Sequence, residues 1–143
     1  MTTFAREIKI AAPVEKVFSY LTEPTNWPEV WPSMVEVKDV QRLPNGGNSF
    51  GWVYKMAGLM FEGDNETTDF QPNQHVATQN VTGIHSKFDW TYRRDNGGTL
   101  LSMKVEYTVP VPVLGKLAEN IIVKMNEQEA NTMLENIKAR MEG

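Results

Sequence analysis

The segment Ser-Lys-Phe-Asp-Trp-Thr-Tyr, residues 86–92, decides the fold class because the character of its side chains alternates along the chain. Its aromatic residues fall on one side of an extended backbone, together with the opening serine. Its charged residues and the threonine fall on the other side. Such alternation is typical of an antiparallel strand with one buried and one solvated face. The segment therefore predicts an antiparallel β-sheet whose buried face is rich in aromatic side chains.

The same period of two recurs in residues 50–56 and 101–109. The predicted inward-facing residues of these two segments are Phe50, Trp52, Tyr54 and Met56, and Leu101, Met103, Val105, Tyr107 and Val109. Turn-forming stretches separate the strands, among them Asn45-Gly46-Gly47 and Asn96-Gly97-Gly98. With one strand at residues 3–11 and six after the first helical region, we expect seven strands joined largely by hairpins.

Two regions have helical periodicity. Pro13 suits the first position of a short helix, whose apolar stripe is Val14, Val17, Phe18 and Leu21. A long helix is predicted to run to the C-terminus. Its first apolar stripe is Leu114, Leu117, Ala118, Ile121, Ile122 and Met125, and its second is Ala130, Met133, Leu134, Ile137 and Met141. Because the stripe slips by one residue between them, we expect the two halves to pack against different surfaces, with the first half near a pocket entrance.

Length and composition limit the possible classes of protein. A chain of 143 residues predicts one domain, 1–143. With 18 acidic and 14 basic residues and no long basic cluster, we expect no nucleic-acid partner. The apolar runs are too short for membrane insertion, and the N-terminus carries charge where a signal peptide needs an apolar core. Together with the absence of cysteine, this predicts a cytoplasmic protein. The oligomeric state is left open between a monomer and a homodimer.

Three motifs carry a family resemblance: Ile-Lys-Ile-Ala-Ala-Pro-Val-Glu-Lys-Val-Phe (8–18), Leu-Thr-Glu-Pro-Thr-Asn-Trp-Pro-Glu-Val-Trp-Pro (21–32) and Gly-Gly-Thr (97–99). With the long closing helix they resemble the polyketide cyclase/dehydrase-like members of the SRPBCC (START-like, helix-grip) superfamily. The resemblance covers essentially the whole chain. It implies an α+β helix-grip fold, in which a curved antiparallel seven-stranded sheet wraps around the C-terminal helix. It also implies a ligand-binding domain with a deep, mainly apolar cavity between them.

Strand parity and the tryptophan-rich segment 23–34 supply candidate residues for the cavity wall. Trp27 and Trp31 are four residues apart, so they can share one side of that segment, and each precedes a proline that restricts its backbone. The predicted ligand-binding residues are Trp27, Trp31, Phe50, Trp52, Tyr54, Phe61, Phe88, Trp90, Met103 and Tyr107, with Leu117, Ile121 and Met125 on the helix. Such a wall suits a small hydrophobic molecule in a cavity of roughly 300 Å³ or more.

Catalytic and metal-binding patterns are not evident, so the catalytic residues stay unknown and no metal or cofactor is predicted. Residues 62, 64 and 66 are acidic and share one face of a strand, which indicates a solvated stripe. His75 and His85 are expected at the surface without an orienting carboxylate. Glu129 extends the first helical stripe, which would aim its carboxylate toward the sheet, but the stripe slip favours an outward position. The polar groups left for the interior are Tyr54, Tyr92, Tyr107, Asn65, Asn80 and Ser86, with Arg6 and Asp39 as further candidates.

Three functional hypotheses follow, and whether the protein is an enzyme stays open. The leading one is a binder of a small hydrophobic molecule that is aromatic, polyketide-like or lipid-like. The alternative is a cyclase, aromatase or dehydratase that uses Tyr, Asn or Glu groups of the cavity. A titratable group beside a tyrosine in the cavity would favour this enzyme, and a wall with tyrosines alone would count against it. A protein-interaction module would need an exposed apolar patch on the outer face of the sheet, where the sequence places mostly charges.

Overall fold

The computed structural model describes residues 1–110 and 116–143 and confirms the predicted α+β helix-grip fold. Of the predicted helix stripe, Leu114 lies outside the described residues. The helices are α1 (Val14–Leu21), α2 (Trp27–Val30) and α3 (Lys116–Glu142), with a 3₁₀ turn at Pro24–Asn26. The strands are β1 (Thr2–Ile10), β2 (Met34–Arg42), β3 (Asn48–Met56), β4 (Leu59–Gln71), β5 (His75–Asn80), β6 (Ser86–Asp95) and β7 (Gly98–Tyr107).

The seven strands form one antiparallel sheet in the order β1-β7-β6-β5-β4-β3-β2. Each strand from β2 to β7 pairs with its neighbour in sequence, as short hairpin connections require. β1 pairs with β7, so β1 and β2 form the two opposite edges of the sheet. The register between β4 and β5 shifts between Thr67 and Asp69, which marks a bulge in the sheet.

The second half of α3 covers one side of the concave face. Its predicted apolar stripe, Ala130, Met133, Leu134, Ile137 and Met141, is buried in the core together with residues of α1 and the sheet. The stripe continues toward the N-terminus of α3 through Asn126 and Ile122, which are each four residues earlier and therefore on the same side. Ile122 packs against a second apolar cluster that contains Trp52 and Met56.

Three side chains of α3 bind the segment that contains Trp27 and Trp31. Arg140 pairs with Glu29 at 3.2 Å, and Asn136 Nδ2 donates to the Val30 carbonyl at 3.0 Å. Glu129 Oε1 accepts a hydrogen bond from the Ser33 backbone N–H at 2.7 Å. The expectation that Glu129 turns outward is therefore wrong, because an unpaired backbone N–H in the loop after α2 gives its carboxylate a partner.

Gly63 and Gly83 provide the space that the Trp52 indole occupies. A Cβ atom at Gly63 would collide with the Thr82 carbonyl oxygen and would lie 2.5 Å from Cζ2 of Trp52. A Cβ atom at Gly83 would lie 2.7 Å from the same ring. The indole therefore lies flat across β4 and reaches the turn between β5 and β6, which only glycines at these two positions permit.

We predict that Gly63→Ala destabilises the protein strongly, while Gly51→Ala serves as a matched strand control. The added methyl group at position 63 must displace backbone and a buried ring, so we expect a loss of about 2 kcal/mol or more. At position 51 the nearest atom is Cγ of the flexible Lys38 side chain at 3.3 Å, which can move. Chemical denaturation of both variants measures the difference, and equal stabilities would contradict the role assigned to Gly63.

Candidate functional site

A cavity of about 140 Å³ lies between the concave face of the sheet, the tryptophan segment and α3. It is smaller than the expected 300 Å³ because large aromatic side chains occupy much of the space. Nine of the predicted ligand-binding residues line it: Trp27, Trp31, Phe50, Trp52, Tyr54, Phe88, Trp90, Met103 and Tyr107. The position of the seven strand residues agrees with strand parity, and that of Trp27 and Trp31 agrees with their spacing of four. Contact of all nine with a ligand stays a prediction.

The aromatic rings of the wall pack edge to face around Trp31. Its ring centroid lies 5.9 Å from that of Trp27, 5.4 Å from Tyr54 and 5.6 Å from Phe88. Trp27 in turn contacts Trp90 at 5.3 Å. The Trp31 Nε1–H also donates to the Tyr54 hydroxyl at 3.2 Å. Edge-to-face pairs of this kind hold rings in fixed positions, so this part of the wall is preformed.

Four predicted ligand-binding residues are not among the residues that line the cavity. Phe61 faces inward on β4 and packs against the cluster around Trp52, farther along the sheet. The side chains of Leu117, Ile121 and Met125 are 77%, 54% and 53% exposed. The physical reason is helical geometry: the inward line through Ile122 and Asn126 leaves each preceding residue rotated by about 100° from the cavity.

A line of polar side chains crosses the concave face on four neighbouring strands. It consists of Asn65, Asn80, Ser86 and Tyr107, and we call these four residues the polar row. Asn65 Nδ2 donates to Asn80 Oδ1 at 2.8 Å, and Asn80 Nδ2 donates to Ser86 Oγ at 2.8 Å. Asn126 Nδ2 of α3 donates to the Tyr107 hydroxyl at 2.9 Å. The row thus runs from β4 to the helix inside an otherwise mainly apolar cavity.

Several polar wall residues were not among the candidates from the sequence. Asn48, Thr67 and Thr78 line the cavity beside the polar row, and Asn126 lines it from the helix. Thr67 and Thr78 have the same strand parity as Asn65 and Asn80, so alternation could have found them. Asn126 gives no such signal because it lies in the polar stretch between the two apolar stripes of α3.

Tyrosines are the only titratable side chains among the described residues of the cavity wall. Burial raises the pKa of Tyr54 well above its ordinary value, and the nearby Glu129 carboxylate raises it further. Burial also raises the pKa of Tyr107; the Asn126 hydrogen bond lowers it, and the Glu127 and Glu119 carboxylates raise it. Tyr92 has its pKa raised by burial alone. All three are therefore neutral hydroxyl groups at physiological pH.

The other candidate polar groups lie away from this wall. Arg6 pairs with Glu127 at 3.1 Å on the surface between β1 and α3. Asp39 borders a separate shallow groove on the sheet with Asp64 and Glu66. Glu62 and Asp64 are exposed, as the predicted solvated stripe requires. Among the described residues, no group of three or more His, Cys, Asp or Glu side chains is placed to hold a metal ion.

His75 corrects one expectation, because two carboxylates orient its ring on the outer face of the sheet. Nδ1 lies 2.6 Å from Asp69 Oδ2 and Nε2 lies 3.0 Å from Asp89 Oδ1. Burial alone would lower the pKa of His75, but the hydrogen bonds and charges of the two carboxylates outweigh burial and raise it. The hydrogen bond from His75 is also the largest cause of the lowered pKa of Asp69. His85 is exposed, as expected.

We predict that His75 stabilises the fold more at low pH than at high pH. Its folded-state pKa lies above the ordinary value of 6.5, so its contribution is complete below that pH and is lost as pH rises through the folded-state pKa. Asp69 and Asp89 face the ring, and Gln71 Nε2 donates a hydrogen bond to Asp69. Lys104 on β7 lies opposite Asp89 of β6 in the strand register. Unfolding free energies of wild type and His75→Gln should differ more at pH 5 than at pH 8. His85→Gln is the matched control, and a pH-independent difference for His75→Gln would contradict the prediction.

The described part of the chain contains no helix that is both long enough and apolar enough to span a membrane. No curated protein sequence matches the chain. Solved structures match over nearly its whole length. The chain is similar to the ZhuI aromatase/cyclase from Streptomyces sp. R1128, with 15% identity, a TM-score of 0.83, and coverage of 99% of this chain and 93% of that one.

Two further structures show the same fold. A START superfamily protein from Mycobacterium smegmatis has 15% identity and a TM-score of 0.78, with 98% of this chain and 97% of that chain covered. The protein TTHA0849 from Thermus thermophilus has 17% identity and a TM-score of 0.76, with the same coverage. A family model described as "Polyketide cyclase / dehydrase and lipid transport" matches residues 1–142. The chain therefore belongs to the polyketide cyclase/dehydrase and lipid transport family.

Proposed function

We propose that this protein binds a small hydrophobic ring compound in the cavity between the sheet and α3. The observation that carries the proposal is the cavity wall itself, in which preformed aromatic rings surround about 140 Å³ of space. A well-packed core has few voids of this size. Aromatic and methionine side chains with a few polar groups are the usual wall of a site for a mainly apolar ligand.

The volume of the cavity favours one of the three ligand types predicted from the sequence, which were aromatic, polyketide-like and lipid-like molecules. Pockets for drug-sized ligands are typically about 300 to 1,000 Å³, whereas an apolar cavity of about 150 Å³ in another protein binds benzene. In this conformation the cavity of about 140 Å³ therefore suits a compound with a single aromatic ring better than a long lipid chain. A larger polyketide-like molecule would require the wall to move.

Binding is favoured over the alternative of a cyclase, aromatase or dehydratase. Structures described as aromatase/cyclases share the fold and make the alternative worth testing. An enzyme of this kind needs a general acid or base at the ligand. Glu129 is close enough to raise the pKa of Tyr54 but binds the Ser33 backbone instead of lining the cavity. The tyrosines of the wall are protonated at physiological pH and therefore are not bases, and their raised pKa values make them weak acids, which supports the binder.

The proposal treats residues 1–143 as one ligand-binding domain. A cytoplasmic location, a monomeric or homodimeric state and the absence of a nucleic-acid partner stay predictions from composition.

The first test reduces the volume of the cavity without changing the outer surface of the protein. Ala130 lines the cavity from α3, whereas Ala139 is exposed on the same helix. We expect Ala130→Leu to weaken binding of toluene by about tenfold or more because its side chain occupies ligand space, while Ala139→Leu leaves binding unchanged. Isothermal titration measures both, and thermal unfolding checks that each variant is folded. Equal binding by the two variants would contradict the proposed site.

The second test asks which molecule the protein carries. Small molecules that copurify with the protein are extracted and identified by mass spectrometry, in parallel for wild type and Ala130→Leu. The proposal predicts a hydrophobic ring compound that is retained by wild type and depleted in Ala130→Leu. A compound retained equally by both would lie elsewhere on the protein, which would count against the cavity as its site.

A further inference from the structure

The polar row has hydrogen-bonding capacity that the described residues do not use. Both N–H groups of the Asn80 amide are used, because its Nδ2 donates to Ser86 Oγ and to the Ile84 carbonyl at 2.7 Å, and its Oδ1 accepts from Asn65. Ser86 and Tyr107 each accept one hydrogen bond, from Asn80 and Asn126 respectively. Among the described residues, neither hydroxyl proton has an acceptor. Both hydroxyl groups of the polar row are therefore free neutral donors.

The indole N–H of Trp52 is a further donor that lies next to the row. Trp52 is only 3% exposed, and its Nε1 is fully buried without a hydrogen-bond partner among the described residues. Trp52 lines the cavity and is paired with Gly63, two residues before Asn65 on β4. A buried polar group without a partner costs free energy, so natural proteins rarely keep one without a reason.

The charges around the cavity limit which acceptor can enter. None of its described wall residues carries a formal charge at neutral pH. Outside the wall, the Glu129 carboxylate acts on Tyr54, while Glu119 and Glu127 act on Tyr107, and Glu127 is paired with Arg6. A buried carboxylate or phosphate would lack a cation within the wall. A buried cation would equally lack a carboxylate within the wall.

We propose that the polar row is a recognition subsite for an uncharged carbonyl oxygen of the ligand, with the hydroxyl groups of Ser86 and Tyr107 as its donors. This inference rests on the proposed function and adds the chemical class of the ligand. The aromatic wall around Trp31 holds the ring, and the polar row determines which substituent the ring carries. A ring ketone, aldehyde or quinone fits this division, whereas an aromatic acid or amine does not.

Four probes of nearly equal shape test the inference on the wild-type protein. Acetophenone carries the carbonyl, α-methylstyrene replaces its oxygen with a CH₂ group, benzoate is an anion, and benzamidinium is a cation. Titrations followed by ¹H–¹⁵N NMR of the indole N–H groups measure weak affinities. We expect acetophenone to bind about fivefold more tightly than α-methylstyrene, the value for a neutral hydrogen bond. Both charged probes should bind at least about 100-fold more weakly than acetophenone.

Matched variants locate the preference. Ser86→Ala combined with Tyr107→Phe removes the two free donors of the polar row. Thr68→Val combined with Tyr20→Phe removes two hydroxyl groups of residues that do not line the cavity. The first double variant should bind acetophenone and α-methylstyrene equally, and the second should keep the wild-type preference. The probe series on wild type remains decisive if the first variant fails to fold.

The outcomes separate the two proposals. If α-methylstyrene binds as tightly as acetophenone, or if a charged probe does, the ligand class inferred from the polar row is wrong while the hydrophobic site stands. If the preference survives loss of the Ser86 and Tyr107 hydroxyls, the row is not the subsite. If none of the four probes binds and toluene does not bind either, the proposed function itself is overturned, and the inference with it.

Discussion

The constraint on which the rest of the structure depends is that one helix cannot cover the concave face of a seven-stranded sheet. Only the second half of α3 presents a wide apolar stripe, and it buries that stripe against β1, α1 and the centre of the sheet. The remaining concave surface is covered by the segment with Trp27 and Trp31, whose rings pack against both apolar clusters of the protein. The cavity lies where these two covers meet.

The tryptophan segment can serve as a cover because both of its sides are held. Its backbone is bound to α3 through Val30 and Ser33, and its Trp31 ring is bound to the sheet through Tyr54. The prolines after Trp27 and Trp31 limit the backbone of the residues before them. These hydrogen bonds hold a short segment in place although it contains no long helix. Such fixing is what allows a cavity to persist beside it without collapse.

Strand parity predicted which side chains face inward because the period of two needs only local sequence. It placed seven of the eight predicted strand residues on the cavity wall, all except Phe61. It could not predict the pairing of His75 with Asp69 and Asp89, which depends on the register of three strands and on the bulge beside Asp69. The first half of α3 also escaped prediction. Its sequence fits two overlapping lines of apolar residues along the helix, 117–121–125 and 118–122. Only tertiary packing determines that the second line faces the core.

The polar row shows how a mainly apolar cavity can contain amides without a large cost in stability. Asn65 donates to Asn80, and Asn80 donates to Ser86 and to the Ile84 carbonyl, so burial leaves neither amide without a partner. Hydroxyl groups end such a chain differently from amides, because a hydroxyl that accepts one hydrogen bond still has its proton to donate. A row of asparagines closed by a serine and a tyrosine therefore carries hydroxyl donors at its end. Burial raises the pKa of Tyr107, and the Glu127 and Glu119 carboxylates raise it further, so this end of the row offers hydrogen bonds without offering charge.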